Sequence, residues 1–212
     1  MRTETLLQPA YVPVLLDEVK DHLRIDGAEE DAALGALIST SVTLVETWLD
    51  MALINRTVAV YLDTWPETQA GTGTWWNGVA DGVVSMLQSD IFHAPLPVRP
   101  VSAVASIGVT AADGTTSAWN TDDYYLKPGL APAIVRKYGR VWPQPGVPAD
   151  GIKITVTAGF GADWNTVPAG IRQALLMLVT HLYYNRGDTS GDPALKASGA
   201  LGILAPYRTV RL

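Results

Sequence analysis

The sequence predicts an α+β fold: a small helical bundle, an inserted small antiparallel β-sheet or partial barrel, and an extended C-terminal tail. Three observations predict it. Apolar residues recur at three- and four-residue steps before residue 52. From Arg56 the period changes to strict alternation, and a series of short strand patterns with turn signals follows. After Pro168 the helical period returns. Helices on either side of the strands that are each apolar on one face must bury those faces together, so the sheet becomes an insertion in the bundle.

Each element has a local reason. Residues 1–13, with Pro9 and Pro13, read as an irregular lead-in. Leu16, Val19, Lys20 and Leu23 share one face of a short helix over 16–24, and Asp17 and Glu18 suit its positive N-terminal end. Asp26-Gly27 breaks it. Glu29-Glu30-Asp31 then load the first turn of a long helix, about 30–51, striped by Leu34, Leu37, Ile38, Val45, Trp48 and Leu49. Val58, Val60 and Leu62 alternate with Thr57, Ala59, Tyr61 and Asp63, which is a strand pattern. Residues 66–92 are a Gly/Ser/Thr-rich inserted loop around Trp75-Trp76. Val101–Thr110 reads as a second strand, and Ala112-Asp113-Gly114 as a hairpin turn. Residues 124–127, 133–137 and 151–157 are three further short strands. Pro168 sits in a first helical turn, where its missing N–H costs nothing. Ile171, Leu175, Leu178, Val179 and Leu182 make the last long stripe. Residues 188–199, rich in Gly, Ser and Pro, are expected to be mobile, and a short helix over 200–204 precedes the tail. The domains are therefore 1–55 with 165–204 (bundle), 56–164 (inserted β domain with the 66–92 loop) and 205–212 (tail).

Composition excludes several functions. The 212 residues are 48% hydrophobic, which rules out wholesale disorder. There is no cysteine, hence no disulfide framework and no thiolate chemistry. Met1 to Thr5 lack the apolar run of a signal peptide, and the apolar stretch Ala174–Val179 is too short for a membrane span. The net charge of −6 is uneven, with 11 Asp/Glu against 4 Lys/Arg in residues 1–65 and 10 against 11 in the remainder. An acidic chain without a basic run is a poor grip for phosphates. The uneven charge suits a subunit with two different neighbours, and equally suits a solvated acidic helix face.

The chain carries no recognisable catalytic or metal-binding motif. His22, His93 and His181 have no ligand spacing, so no metal site is expected. Gly159-Phe160-Gly161 and Gly71-Thr72-Gly73 lack the third glycine of a dinucleotide loop and read as a turn and a loop tip. No serine lies in a GxSxG elbow. Asp122-Asp123 and Glu29-Glu30-Asp31 read as caps. No cofactor is expected, and the seven tryptophans read as core and interface anchors. The ending Leu204-Ala205-Pro206-Tyr207-Arg208-Thr209-Val210-Arg211-Leu212 is basic and dotted with apolar residues. Such a tail either frays or docks, and the reading here is that it docks on another molecule.

Several segments together resemble the head–tail connector (adaptor) proteins of long-tailed bacteriophages, and more closely their counterparts in gene transfer agents. Leu16-Asp17-Glu18-Val19-Lys20-Asp21-His22-Leu23-Arg24-Ile25-Asp26 resembles that family's first helix. Glu30-Asp31 with Leu34, Leu37 and Ile38 resembles its second, and Pro95 to Val101 resembles its lead into the sheet. Thr155 to Gly161 with Val167-Pro168 resembles its strand-to-helix junction, Ile171 to Arg186 its last long helix, and Leu204-Ala205-Pro206-Tyr207-Arg208 its ending. Trp75 to Gly82 and Val210-Arg211-Leu212 look like the gene transfer agent branch.

The resemblance implies a structural protein, not an enzyme. It implies a dodecameric ring beneath the portal of a phage-like particle assembled in a bacterial cytoplasm. Such a ring extends the DNA channel and meets a stopper or tail-side ring protein. Packaged double-stranded DNA would pass without sequence-specific binding, helped by an acidic subunit, and no membrane is involved. Leu204, Pro206, Tyr207, Arg208, Val210 and Arg211 are then the expected portal contacts, and Trp75 and Trp76 the expected contacts to a neighbouring subunit or ring. An enzyme with an unrecognised site and a stand-alone oligomeric binding module are the alternatives.

Overall fold

The structure, a computed structural model, describes residues 1–7, 16–65, 75–76, 79–80, 92–129, 131–185 and 191–208. Strands and helices segregate, so the fold is α+β as expected. The chain divides into two compact units, Met1–Gln8 with Arg56–Ala158, and Pro9–Asn55 with Gly159–Leu212.

The first unit is built on a five-stranded antiparallel sheet. Its strands are β1 (Arg2–Leu7), β2 (Arg56–Leu62), β6 (Val101–Thr110), β7 (Thr116–Ala118) and β10 (Ile152–Ala158), in the order β1-β2-β10-β6-β7. β10 is central because its apolar residues alternate strictly: Ile152, Ile154, Val156 and Ala158 are buried, and the residues between are half-buried. Register places Val60 and Ile107 on either side of Ile154. All three are fully buried, forming one row of branched side chains across the sheet. Trp75–Trp76 (β3) pairs with Val79–Ala80 (β4) as a two-stranded ribbon. A second sheet, order β5-β9-β8, is made of His93–Pro95, Ala133–Arg136 and Tyr124–Lys127.

The β6–β7 turn forms where Ala112-Asp113-Gly114 predicts it. Gly114 takes φ +83°, in the left-handed region that favours glycine. The Asp113 carboxylate accepts from the Thr115 hydroxyl at 2.7 Å and the Thr115 N–H at 2.9 Å, which holds its pKa below the usual carboxylate value. Trp65 and Trp142, both fully buried, stack at 4.4 Å between centroids. Trp119 leans on both, and Tyr124 packs on Trp119 at 4.9 Å. The Trp65 indole N–H donates to the Pro143 carbonyl at 2.7 Å. Burial raises the Tyr124 phenol above its ordinary pKa.

β1 corrects the expected irregular lead-in. All six of its side chains are exposed, so it buries no apolar face and carries no amphipathic pattern to read. It is held by backbone pairing to β2 and by the surface ion pair of Arg2 with Asp150 (3.1 Å), a contact that contributes little in water. The β1 amides are therefore expected to exchange with solvent orders of magnitude sooner than those of β10. Equal protection in hydrogen-exchange mass spectrometry would contradict this.

The second unit is helical. Its helices are α1 (Leu16–Leu23), α2 (Asp31–Leu49), α3 (Ala169–Tyr184), α4 (Gly191–Ala197) and α5 (Ala200–Leu204). One core joins Val19 and Leu23 of α1, Leu34, Ile38, Val45 and Leu49 of α2, and Ile171, Leu175, Leu178 and Leu182 of α3. The expected stripes thus do bury against one another. α2 tolerates its Ser/Thr cluster because the hydroxyls of Ser39, Thr40 and Thr43 bond back to the carbonyls of Gly35, Ala36 and Ser39. Among the described helices α2 alone has the length and mean hydropathy of a membrane span, and its buried stripe belongs to this helical core. Tyr183 donates to Glu30 at 2.6 Å, and the Trp164 indole N–H donates to Glu18.

Two expectations in this unit need correction. The 188–199 segment, expected to be mobile, contains α4, whose Ala194 and Leu195 are buried in the core. The tail, expected to be extended from 205, winds into a 3-10 turn over Ala205–Tyr207. In both cases the local residues carry weak helical signals, and packing against the helical core, by buried Ala194 and Leu195 in α4 and partly buried Tyr207 in the turn, supplies what local propensity does not.

Candidate interaction site at the C-terminus

The last described residues are built onto α3 by one turn residue and three side chains. Gly199 takes φ +77°, which lets the chain reverse between α4 and α5. Leu204 is then fully buried in the helical core, and Ile203 packs on its edge. Tyr207 lies half-buried over Gly170 of α3, where a Cβ would meet its hydroxyl at 3.0 Å. Gly170 therefore makes the room for the Tyr207 ring. The Arg208 guanidinium sits 4.9 Å from the centre of the Trp48 ring of α2, a cation–π distance. Pro206 and Arg208 are exposed.

The expected portal contacts thus fall into two sets. Leu204 is buried and holds the segment in place, and Tyr207 is in part committed to α3. Pro206 and Arg208 face outward, while Val210 and Arg211 lie outside the described residues. The side chains of Trp75 and Trp76, and most of the 66–92 loop, also lie outside them.

The remaining chemical candidates resolve into structural roles. Gly159-Phe160-Gly161 is a close backbone approach: the Phe160 N–H donates to Leu53 at 3.1 Å and the Asn55 N–H to Gly161 at 2.9 Å. A Cβ on Gly159, at φ +137°, would stand 2.5 Å from the Asn55 nitrogen. Asn120 caps the turn containing Asp122-Asp123, accepting from the Asp122 N–H at 3.0 Å. His22, His93 and His181 lie in α1, β5 and α3. Among the described residues no three of His, Cys, Asp and Glu gather as a metal site.

No protein-family model matches the chain, and no curated protein matches it. Solved structures do match, over its whole length. A chain in the virion of the native gene transfer agent particle is 25% identical with a TM-score of 0.75, covering 100% of this chain and 97% of that one. The chain has the fold of a chain of the gene transfer agent particle. A chain in the neck of the empty particle, computed with C6 symmetry, matches at 23% identity and TM-score 0.75, with the same coverage. One in the neck of the native particle, computed with C12 symmetry, matches at 23% and 0.71, again over 100% and 97%. The neck fold includes the helical unit, the sheets and the C-terminal segment together, since the coverage is complete on this side.

Proposed function

We propose that this protein is a structural component of a phage-like particle, and within it the head–tail adaptor of a gene transfer agent. The observation that carries the reading is the full-length match to neck chains, with the resemblance of the first helix, the strand-to-helix junction and the C-terminal segment in support. The protein forms a dodecameric ring beneath the portal, extends the DNA channel, and presents its far side to a stopper or tail-side ring. Its net charge of −6 lets double-stranded DNA slide without adhering. Pro206, Arg208, Val210 and Arg211 bind the portal, with Arg suited to paired hydrogen bonds with a carboxylate. Leu204 and Tyr207 hold the base of that segment to α3. Trp75 and Trp76 meet a neighbouring subunit or ring. The particle assembles in the bacterial cytoplasm.

Producer cells lacking the protein are expected to yield DNA-filled heads without tails, seen by negative-stain microscopy. Normally tailed particles would overturn the reading. The isolated 22.7 kDa chain is expected to sediment mainly as a monomer at micromolar concentration, the portal acting as the template. A uniform ring without portal would contradict the template role.

A further inference from the structure

We infer that the tip of the three-stranded sheet, Lys137-Tyr138-Gly139-Arg140-Val141, docks on the acidic α1 surface of a second copy of this chain. The inference rests on the assembly reading above and names the surfaces by which its copies meet. Tyr138 is 89% exposed and Val141 77%, two large apolar side chains on one short turn. Isolated exposed apolar residues are ordinary, but a pair flanked by cations on a rigid turn is a docking feature. The turn is fixed from below. The Lys137 N–H donates to the Asp123 carbonyl at 2.9 Å, Arg140 pairs with the Asp123 carboxylate at 3.0 Å, and the Arg140 N–H closes onto Lys137 at 3.2 Å. The Arg136 guanidinium donates to the Arg140 carbonyl and lies over the Phe92 ring, which touches Tyr138. A tip ordered in advance loses little entropy on binding.

Charge identifies the occupant. From Tyr124 to Ala149 the chain carries Lys127, Arg136, Lys137 and Arg140 and no acidic residue. Asp122 and Asp123 precede the stretch, and Arg140 offsets Asp123. The opposite character is concentrated at α1 and the turn after it. Residues 17–31 hold seven acidic side chains against Lys20 and Arg24. Lys20 is drawn to Asp31 at 2.8 Å, whereas Asp17, Asp21, Asp26 and Glu29 are exposed. Leu16 and Ile25, partly buried against the helical core, leave some apolar surface among them as a seat for Tyr138. Because the two surfaces differ, the contact is heterologous: each copy offers a tip to one neighbour and an acidic helix to the other, which generates a ring or a filament. The attraction is small and salt-screened, which fits a contact that needs a template.

Since the native chain has no cysteine, the contact can be tested by cross-linking. Tyr138→Cys and Asp21→Cys are made as separate variants, mixed at high concentration in low salt, and treated with a flexible bis-maleimide. The expected result is a cross-linked dimer from the mixture, absent from either variant alone and at least fivefold weaker in 0.5 M NaCl. A variant carrying both substitutions should give a ladder. No mixed dimer, or a dimer from Tyr138→Cys alone, overturns the inference. Particles made with the double variant separate the two claims. Protein present in particles without a ladder sinks the contact and leaves the adaptor reading standing. A ladder from the free protein with none of it in particles sinks the adaptor reading and leaves the contact.

Discussion

Removal of residues 209–212 is expected to leave the thermal melt unchanged and to produce heads that package DNA but carry neither this protein nor a tail. Arg208 is the last described residue, and its contact with Trp48 survives the cut. Removal of 203–212 should behave differently. It deletes Leu204, fully buried among the core residues of α3 and α5, and Tyr207, packed over Gly170. Loss of one buried leucine side chain costs about 2–5 kcal/mol, before the tyrosine is counted. The longer truncation should therefore unfold at markedly lower urea concentration. The pair of truncations separates docking from folding: a short cut that still joins portals at normal occupancy makes residues 209–212 a frayed end. A long cut with native stability would mean that Leu204 contributes no packing energy.

Trp142→Ala should be among the most damaging single substitutions in the β unit. Its indole is fully buried, stacks on Trp65 at 4.4 Å and meets Trp119 at 5.3 Å. Truncating a buried tryptophan costs about 3–5 kcal/mol, a large share of the roughly 5–15 kcal/mol that holds a domain folded. The remaining Trp65 loses its stacking partner while its N–H still needs the Pro143 carbonyl. Near-ultraviolet circular dichroism should lose most of its tryptophan signal, and the urea midpoint should fall. Tyr138→Ala provides the control: an exposed ring should shift stability by less than about 0.5 kcal/mol. A Trp142→Ala variant as stable as Tyr138→Ala would remove the aromatic cluster from the account of the fold.

What was legible in the sequence follows from how locally each signal is encoded. α2 and α3 were readable because Leu34, Ile38, Val45 and Leu49, and Ile171, Leu175, Leu178 and Leu182, carry the helical period within a single segment. β10 was readable because Ile152, Ile154 and Val156 alternate. β1 was not, since a strand exposed on both faces has no period, and only its pairing with β2 makes it a strand. β5 and β7, three residues each, are too short to show one. Of the C-terminal segment, the residue types suited to docking are evident in the sequence, but which of them the fold itself buries is not. Leu204 and Tyr207 look like Val210 in sequence, and only their contacts in the helical core show that these two are committed to the fold.

By itself the sequence determined the α+β class, the order of the long helices and of the strands with a readable period, the one-sided stripes that form the helical core, and the lack of thiol chemistry. These depend on periodicity and composition, which act over a few residues. The tertiary structure alone decided that α4 is a helix, that Tyr207 is seated on Gly170, and that Tyr138 is left in water while Trp65 and Trp142 are not. Those outcomes depend on which distant side chains remove one another from water, and burial is a property of the assembled chain that no local pattern carries.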